Sequence, residues 1–93
     1  MIQSWKDKHA EAVFKGETPK GFPSDLIKAA RRRLQALDAA TAVEDLKTPP
    51  GNRLHQLSAD CEGQWSISIN DQFRVCFVLA PSGPENVEIV DYH

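Results

Sequence analysis

The chain ends on Asp91-Tyr92-His93, a carboxylate, a phenol and an imidazole in succession. An imidazole changes charge near neutral pH, so His93 held in place could give or take a proton in a reaction. The competing interpretation is a polar tail, because terminal residues commonly fray. Arg74 is the second residue with chemical potential. It interrupts the apolar run Phe73-Arg74-Val75-Cys76-Phe77. Its planar fork suits a phosphate, although an uncovered sheet face would also accommodate a solvated arginine. A third feature is the cationic set Lys28, Arg31, Arg32 and Arg33. It reads either as a solvated helix face or as a ridge that contacts phosphates.

These residues need elements to hold them. In Asn86 to His93, Val87 and Ile89 fall on one face of an extended strand, with Glu88, Val90 and Tyr92 on the other. The strand pattern therefore runs to the terminus and would tie it into a sheet. Trp65, Ile67 and Ile69 alternate with Ser66 and Ser68, and Phe73, Val75, Phe77 and Leu79 alternate with Arg74, Cys76 and Val78. Each is the pattern of a strand buried on one face, with Asn70-Asp71-Gln72 as a tight connection. Arg53 to Leu57 could add a strand before them, and Ala80 to Glu85, with Pro81, Gly83 and Pro84, reads as a turn.

The first half of the chain has a helical period. Ile27, Ala30, Leu34 and Leu37 form a core-facing stripe, with Ser24 as the expected N-cap and an end near Ala39 or Ala40. A shorter helix over Lys6 to Lys15 would carry Ala10, Val13 and Phe14 inward and stop at Gly16. Ile2 to Trp5 suits an edge strand, and Val43 to Leu46 one further turn before Pro49 and Pro50. The expected fold is α+β: an N-terminal strand and two helices on one face of a mainly antiparallel sheet of three to five strands, as one domain over 1–93. The helices should cover the face carrying Trp65, Ile67, Phe73, Val75 and Phe77, leaving Ser66, Ser68 and Arg74 on the other.

Bulk properties narrow the class. Ninety-three residues, 41% hydrophobic and 26% charged, suit one small domain with one core. So small a core leaves little room for an enclosed pocket, which favours a surface groove or a large partner. The net charge of −2, from 11 basic and 13 acidic residues, leaves nucleic-acid binding open, because distribution counts for more than the sum. No apolar run has the length of a membrane span and the first residues lack a signal-peptide core, so the expected compartment is the cytoplasm. Cys61 and Cys76 form no CxxC pair, no zinc-ligand spacing is present, and neither a metal nor a cofactor is expected.

Several stretches together resemble one family. They are Met1-Ile2-Gln3-Ser4-Trp5, Leu37-Asp38-Ala39-Ala40-Thr41, Pro49-Pro50-Gly51-Asn52-Arg53-Leu54-His55, Trp65-Ser66-Ile67-Ser68-Ile69-Asn70, Phe73-Arg74-Val75-Cys76-Phe77 and Val90-Asp91-Tyr92-His93. In this order, across the whole chain, they resemble the HigB-type toxins of bacterial toxin–antitoxin modules, within the RelE/ParE superfamily. The resemblance implies a metal-independent endoribonuclease that cuts mRNA in the ribosomal 30S A site. It implies a HigA-type antitoxin with a helix-turn-helix domain as partner. It places the active site on His55, Arg74, Asp91, Tyr92 and His93. The cations expected to face RNA or ribosome are Lys28, Arg31, Arg32, Arg33 and Arg53. The chemistry agrees with that set. Cutting RNA without a metal takes a base for the 2′-hydroxyl, a cation for the phosphorane and an acid for the 5′-oxygen, and two histidines and an arginine can supply all three.

The sequence departs from the family pattern after Leu57, where Ser58 and Ala59 stand in place of a Lys-Gly pair. One phosphate-neutralising cation is thereby lost. Two other functions fit the same scaffold: a ParE-like inhibitor that binds DNA gyrase without chemistry, and a weakened toxin that acts mainly as its antitoxin's co-repressor. The His, Tyr and Arg set argues against the first, since a pure binder does not need it.

Overall fold

A computed structural model describes residues 1–47, 54–56 and 64–91, apart from the side chains of Val43 and Gln56. Its elements are α1 (Lys8–Phe14), α2 (Ser24–Ala39), a 3-10 turn (Val43–Leu46), β1 (His55–Gln56), β2 (Gln64–Ser68), β3 (Phe73–Ala80) and β4 (Gly83–Asp91). The strands pair antiparallel in the order β1-β2-β3-β4. No helix among the described residues is long and apolar enough to cross a membrane.

Local chemistry sets the helix ends. The Asp7 carboxylate accepts from the His9 N–H at 2.9 Å and caps α1, and Gly16, at φ 96, turns the chain away after it. At α2 the cap differs from expectation. Ser24 is the first helical residue, Pro23 occupies the N-cap position, and no side chain caps the helix. The backbone carbonyl of Pro23 accepts from the Ile27 N–H at 3.0 Å, so the first turn closes without the serine hydroxyl. The turn at Val43–Leu46 is separate from α2, because Ala40 is extended (ψ 137). The Asp45 carboxylate organises it, accepting from the Thr41 N–H, the Thr41 hydroxyl and the Ala42 N–H.

The stripe of α2 is buried as the periodicity requires, with Leu26 added to Ile27, Ala30, Leu34 and Leu37. It packs on Ile67, Val75, Phe77 and Val87 from the sheet, and Val13, Leu46 and Ile69 join the same core. Burying each of the larger side chains contributes roughly 1.5–3 kcal/mol before the entropy of ordering it.

Between β2 and β3, the Asn70 Oδ1 accepts from the N–H groups of Gln72 (2.8 Å) and Phe73 (2.7 Å), which fixes the register of the hairpin. The turn expected over Ala80 to Glu85 is shorter than that. Only Pro81 and Ser82 lie outside the strands, and β4 begins at Gly83 with Pro84 paired to Leu79. Pro84 is tolerated because its carbonyl faces the N-terminal segment, accepting from the Gln3 N–H at 2.7 Å; its ring nitrogen faces the same side, so no bond to β3 is lost. The register then slips between Cys76 and Val78, where Asn86 takes φ 54.

The N-terminal segment makes a single parallel bridge, Trp5 to Val87, rather than a full strand. It lies along β4 through Val87 N–H to Ser4 O (3.2 Å) and Lys6 N–H to Val87 O (3.0 Å). The Ile2 N–H donates to the Asp38 Oδ1 at 2.8 Å, tethering this segment to the end of α2. The outer edge of β4 is thereby covered up to Ile89, whose N–H meets the Asp7 carboxylate at 3.4 Å.

Candidate active site

Strand register decides which candidate residues share a surface. His55 pairs with Ser66, Ser66 with Cys76 and Cys76 with Glu88, forming one row across four strands. Ser68, Arg74 and Val90 form the next row. Paired residues project to the same face, as do residues two apart along a strand. His55 and Arg74 therefore occupy the same face, the one turned away from the helices. Strand spacing of ~4.8 Å and a rise of ~3.4 Å per residue put their Cα atoms about 12 Å apart. An arginine side chain covers much of that separation.

Arg74 leans along this line. Its Nη1 donates to the Ser66 Oγ at 3.1 Å, and Ser66 is the residue facing His55. The face is not an open solvated one. Ser66 is 0% exposed, Ser68 4% and Cys76 7%, while Arg74, Glu88 and Val90 are half-buried. These small side chains form a floor between longer neighbours, and His55 is exposed at its edge. Solvent exposure thus does not account for an arginine in β3. The Ser68 hydroxyl turns inward along its own strand end, donating to the Asn70 carbonyl at 2.9 Å.

Glu88 lies in the same row and pairs with the Lys6 ammonium at 3.3 Å. Neither residue stands out in the sequence as part of a site. Glu88 alternates with the inward-facing Val87 and Ile89, which could have signalled it, but Lys6 arrives only through the parallel course of the N-terminus.

Asp91 falls elsewhere. It pairs with Phe73, so it belongs to the helix-covered side of the sheet, at its exposed rim. Its Oδ2 accepts from the Gln72 Nε2 at 3.3 Å. The register does not put Asp91 on the surface that carries Arg74 and His55; it sits round the end of β4 from them. Tyr92, His93, Arg53 and Ser58 lie outside the described residues.

The cationic helix separates into two kinds of residue. Arg31 donates from Nε to the Val13 carbonyl (3.0 Å) and from Nη2 to the Glu17 carbonyl (3.3 Å), fastening the end of α1 to α2. Arg33 donates from Nε to the Ser68 carbonyl at 2.9 Å, fastening α2 to β2. Burial, and then the charge of Arg32, hold the Arg33 guanidinium below its ordinary value. Lys28 and Arg32 are exposed and one helical turn apart. They project from the side of α2 opposite its buried stripe, so the sheet separates them from Arg74. The helix cations and the Arg74 face do not form one surface.

The comparisons with known proteins agree with one another. Residues 3–93 match the profile of the HigB-like toxin family, described as the RelE-like toxin of type II toxin-antitoxin system HigB. Toxin HigB-1 of Vibrio cholerae serotype O1 is 38% identical over 78 residues, which cover 83% of this chain and 82% of that protein. Endoribonuclease HigB of Proteus vulgaris is 32% identical over 93 residues, covering 100% of both. Among solved structures, a chain of the YoeB-YefM complex from Staphylococcus aureus superposes with a TM-score of 0.64 at 14% identity, over 100% of this chain and 98% of that one. At that identity the likeness is one of fold.

Proposed function

The chain belongs to the HigB-like family, the RelE-like toxins of type II toxin–antitoxin systems, and from that premise we propose that it is an endoribonuclease that cuts mRNA in the ribosomal A site. The observation that carries the proposal is Arg74: a half-buried cation, hydrogen-bonded to Ser66 on the sheet face that also bears His55. A phosphate meeting the exposed part of the guanidinium would have the His55 imidazole on the same sheet face.

In the proposed reaction, one imidazole takes the proton of the 2′-hydroxyl. The 2′-oxygen attacks the adjacent phosphorus, and Arg74 stabilises the negative charge of the phosphorane. A second, protonated imidazole gives its proton to the departing 5′-oxygen, leaving a 2′,3′-cyclic phosphate and a 5′-hydroxyl. His55 and His93 share these two duties. Tyr92 donates a proton or stacks on a base, and Asp91, at the rim of β4 two residues before His93, is the carboxylate that would orient that imidazole. The ribosome positions the substrate, which a surface of this size could not do alone.

An antitoxin is the partner that family membership entails; we take it to be a HigA-type helix-turn-helix protein. Lys28, Arg32 and Arg53 are the cations proposed to contact the ribosome or RNA. Arg31 and Arg33 serve the scaffold first.

Inducing the chain in cells without its antitoxin tests this reading. Growth arrest with in-frame mRNA cuts, mapped by primer extension, is the expected result. DNA breaks preceding any loss of translation would instead indicate a gyrase-type target. Tight antitoxin binding with neither arrest nor cutting would indicate a co-repressor, consistent with the lysine missing at Ser58.

A further inference from the structure

We infer that Ser66 is a positioning residue for the cleavage step, one that fixes the Arg74 guanidinium toward His55; this rests on the reading of Arg74 as the phosphate clamp. Three observations carry it. Ser66 is fully buried, a costly place for a hydroxyl without a partner. Its Oγ accepts from the Arg74 Nη1 at 3.1 Å across the β2–β3 pair. It is also the register partner of His55, so the bond draws the guanidinium from its own row into the row of the histidine.

The partners in register make the geometry specific. Arg74 is opposite Ser68, not Ser66. An unrestrained arginine would have several rotamers over the floor of Ser66, Ser68 and Cys76. The Ser68 hydroxyl is instead turned along its own strand end, where it donates to the Asn70 carbonyl. A bond to one terminal nitrogen narrows the orientations open to the fork, so the guanidinium reorganises less as charge develops on the phosphate. Ser66 makes no contact with the reacting atoms in this scheme; it acts through Arg74.

The test is single-turnover cleavage on programmed ribosomes with the full chain, alongside ribosome affinity and thermal melting. Ser66→Ala is expected to cut about 10-fold more slowly, the scale of one lost hydrogen bond to a charged group, with unchanged ribosome affinity. Introduced into an Arg74→Lys chain, the same change should alter the rate less than about 2-fold, because a point-like ammonium has no fork to orient. Ser66→Cys fills the same space with a weak acceptor, so it should match the alanine variant even if alanine lowers the melting temperature. Wild-type rates for both Ser66 variants, in a protein where Arg74→Ala abolishes cutting, would overturn the positioning role alone. Equal losses in the arginine and lysine backgrounds would overturn it too, as a general structural effect. Undiminished cutting by Arg74→Ala would remove the reading of Arg74 itself.

Discussion

Replacing Arg33 by alanine separates scaffold from ligand contact on α2. Arg33 donates from Nε to the Ser68 carbonyl at 2.9 Å and is half-buried, whereas its neighbour Arg32 is exposed. A hydrogen bond from a charged group is worth roughly 1.5–3 kcal/mol, and its loss leaves a partly buried carbonyl at the end of β2 in want of a donor. Partial exposure lets water replace some of that bond, so about 1–2 kcal/mol is expected. For a domain of this size each kcal/mol moves the melting temperature by roughly 4–8 °C. Arg33→Ala should therefore melt roughly 5–15 °C lower than the wild type, a range obtained by combining those two scales. Arg32→Ala should stay within about 0.5 kcal/mol of wild type. Circular dichroism melts of the two single variants give the answer. Equal melting temperatures for Arg33→Ala and wild type would refute the claim that this arginine ties helix to sheet. A large drop for Arg32→Ala would refute the division of the cationic helix.

The turn after α2 should respond to acid. Hydrogen bonds from the Thr41 N–H, the Thr41 hydroxyl and the Ala42 N–H hold the Asp45 carboxyl below its usual range. Its folded-state pKa is depressed relative to the unfolded chain, so its contribution is present above the unfolded value and lost as pH falls through the folded one. A carboxyl-carbon NMR titration should give Asp45 a midpoint below that of an ordinary aspartate, with Thr41 amide exchange quickening over the same interval; an unshifted midpoint would contradict the capping role. Gly83 is strained for any other residue, with φ 137 and a Cβ position that would collide with the Met1 carbonyl. Gly83→Ala should destabilise by about 1–3 kcal/mol, read as a lower denaturant midpoint, and should loosen the N-terminal segment along β4. An unchanged midpoint would show that the segment packs less closely there.

Much of the fold is legible because periodicity records burial. The spacing of Ile27, Ala30, Leu34 and Leu37 already marks the core face of α2, and the alternation in β2 and β3 already assigns Ser66, Ser68 and Arg74 to one face. Even the displacement of Asp91 is contained in the pattern: it shares parity with Val87 and Ile89, not with Glu88 and Val90. What periodicity cannot carry is register. That Ser66 stands between His55 and Arg74 depends on pairing across two hairpins, one set by the Asn70 turn and the other beyond reach of local spacing. The fates of Arg31 and Arg33 are hidden for a related reason. A cation on a helix reads alike whether it faces solvent or a carbonyl from a distant segment, and only the packing of α1 and β2 against α2 distinguishes them. Pro84 misleads in the same way, reading as a turn residue although its pairing with Leu79 makes it part of β4.

The central claim is that Arg74 clamps a phosphate in a reaction run by His55 and His93. Its most direct measurement is cleavage of a defined mRNA on programmed ribosomes, comparing the wild type with Arg74→Ala, His55→Ala and His93→Ala at concentrations that saturate the ribosome. The account predicts A-site cutting by the wild type and a loss of at least about 100-fold for each variant, with ribosome binding retained. Cutting that survives Arg74→Ala at the wild-type rate, or a wild type that binds ribosomes without cutting, would contradict it.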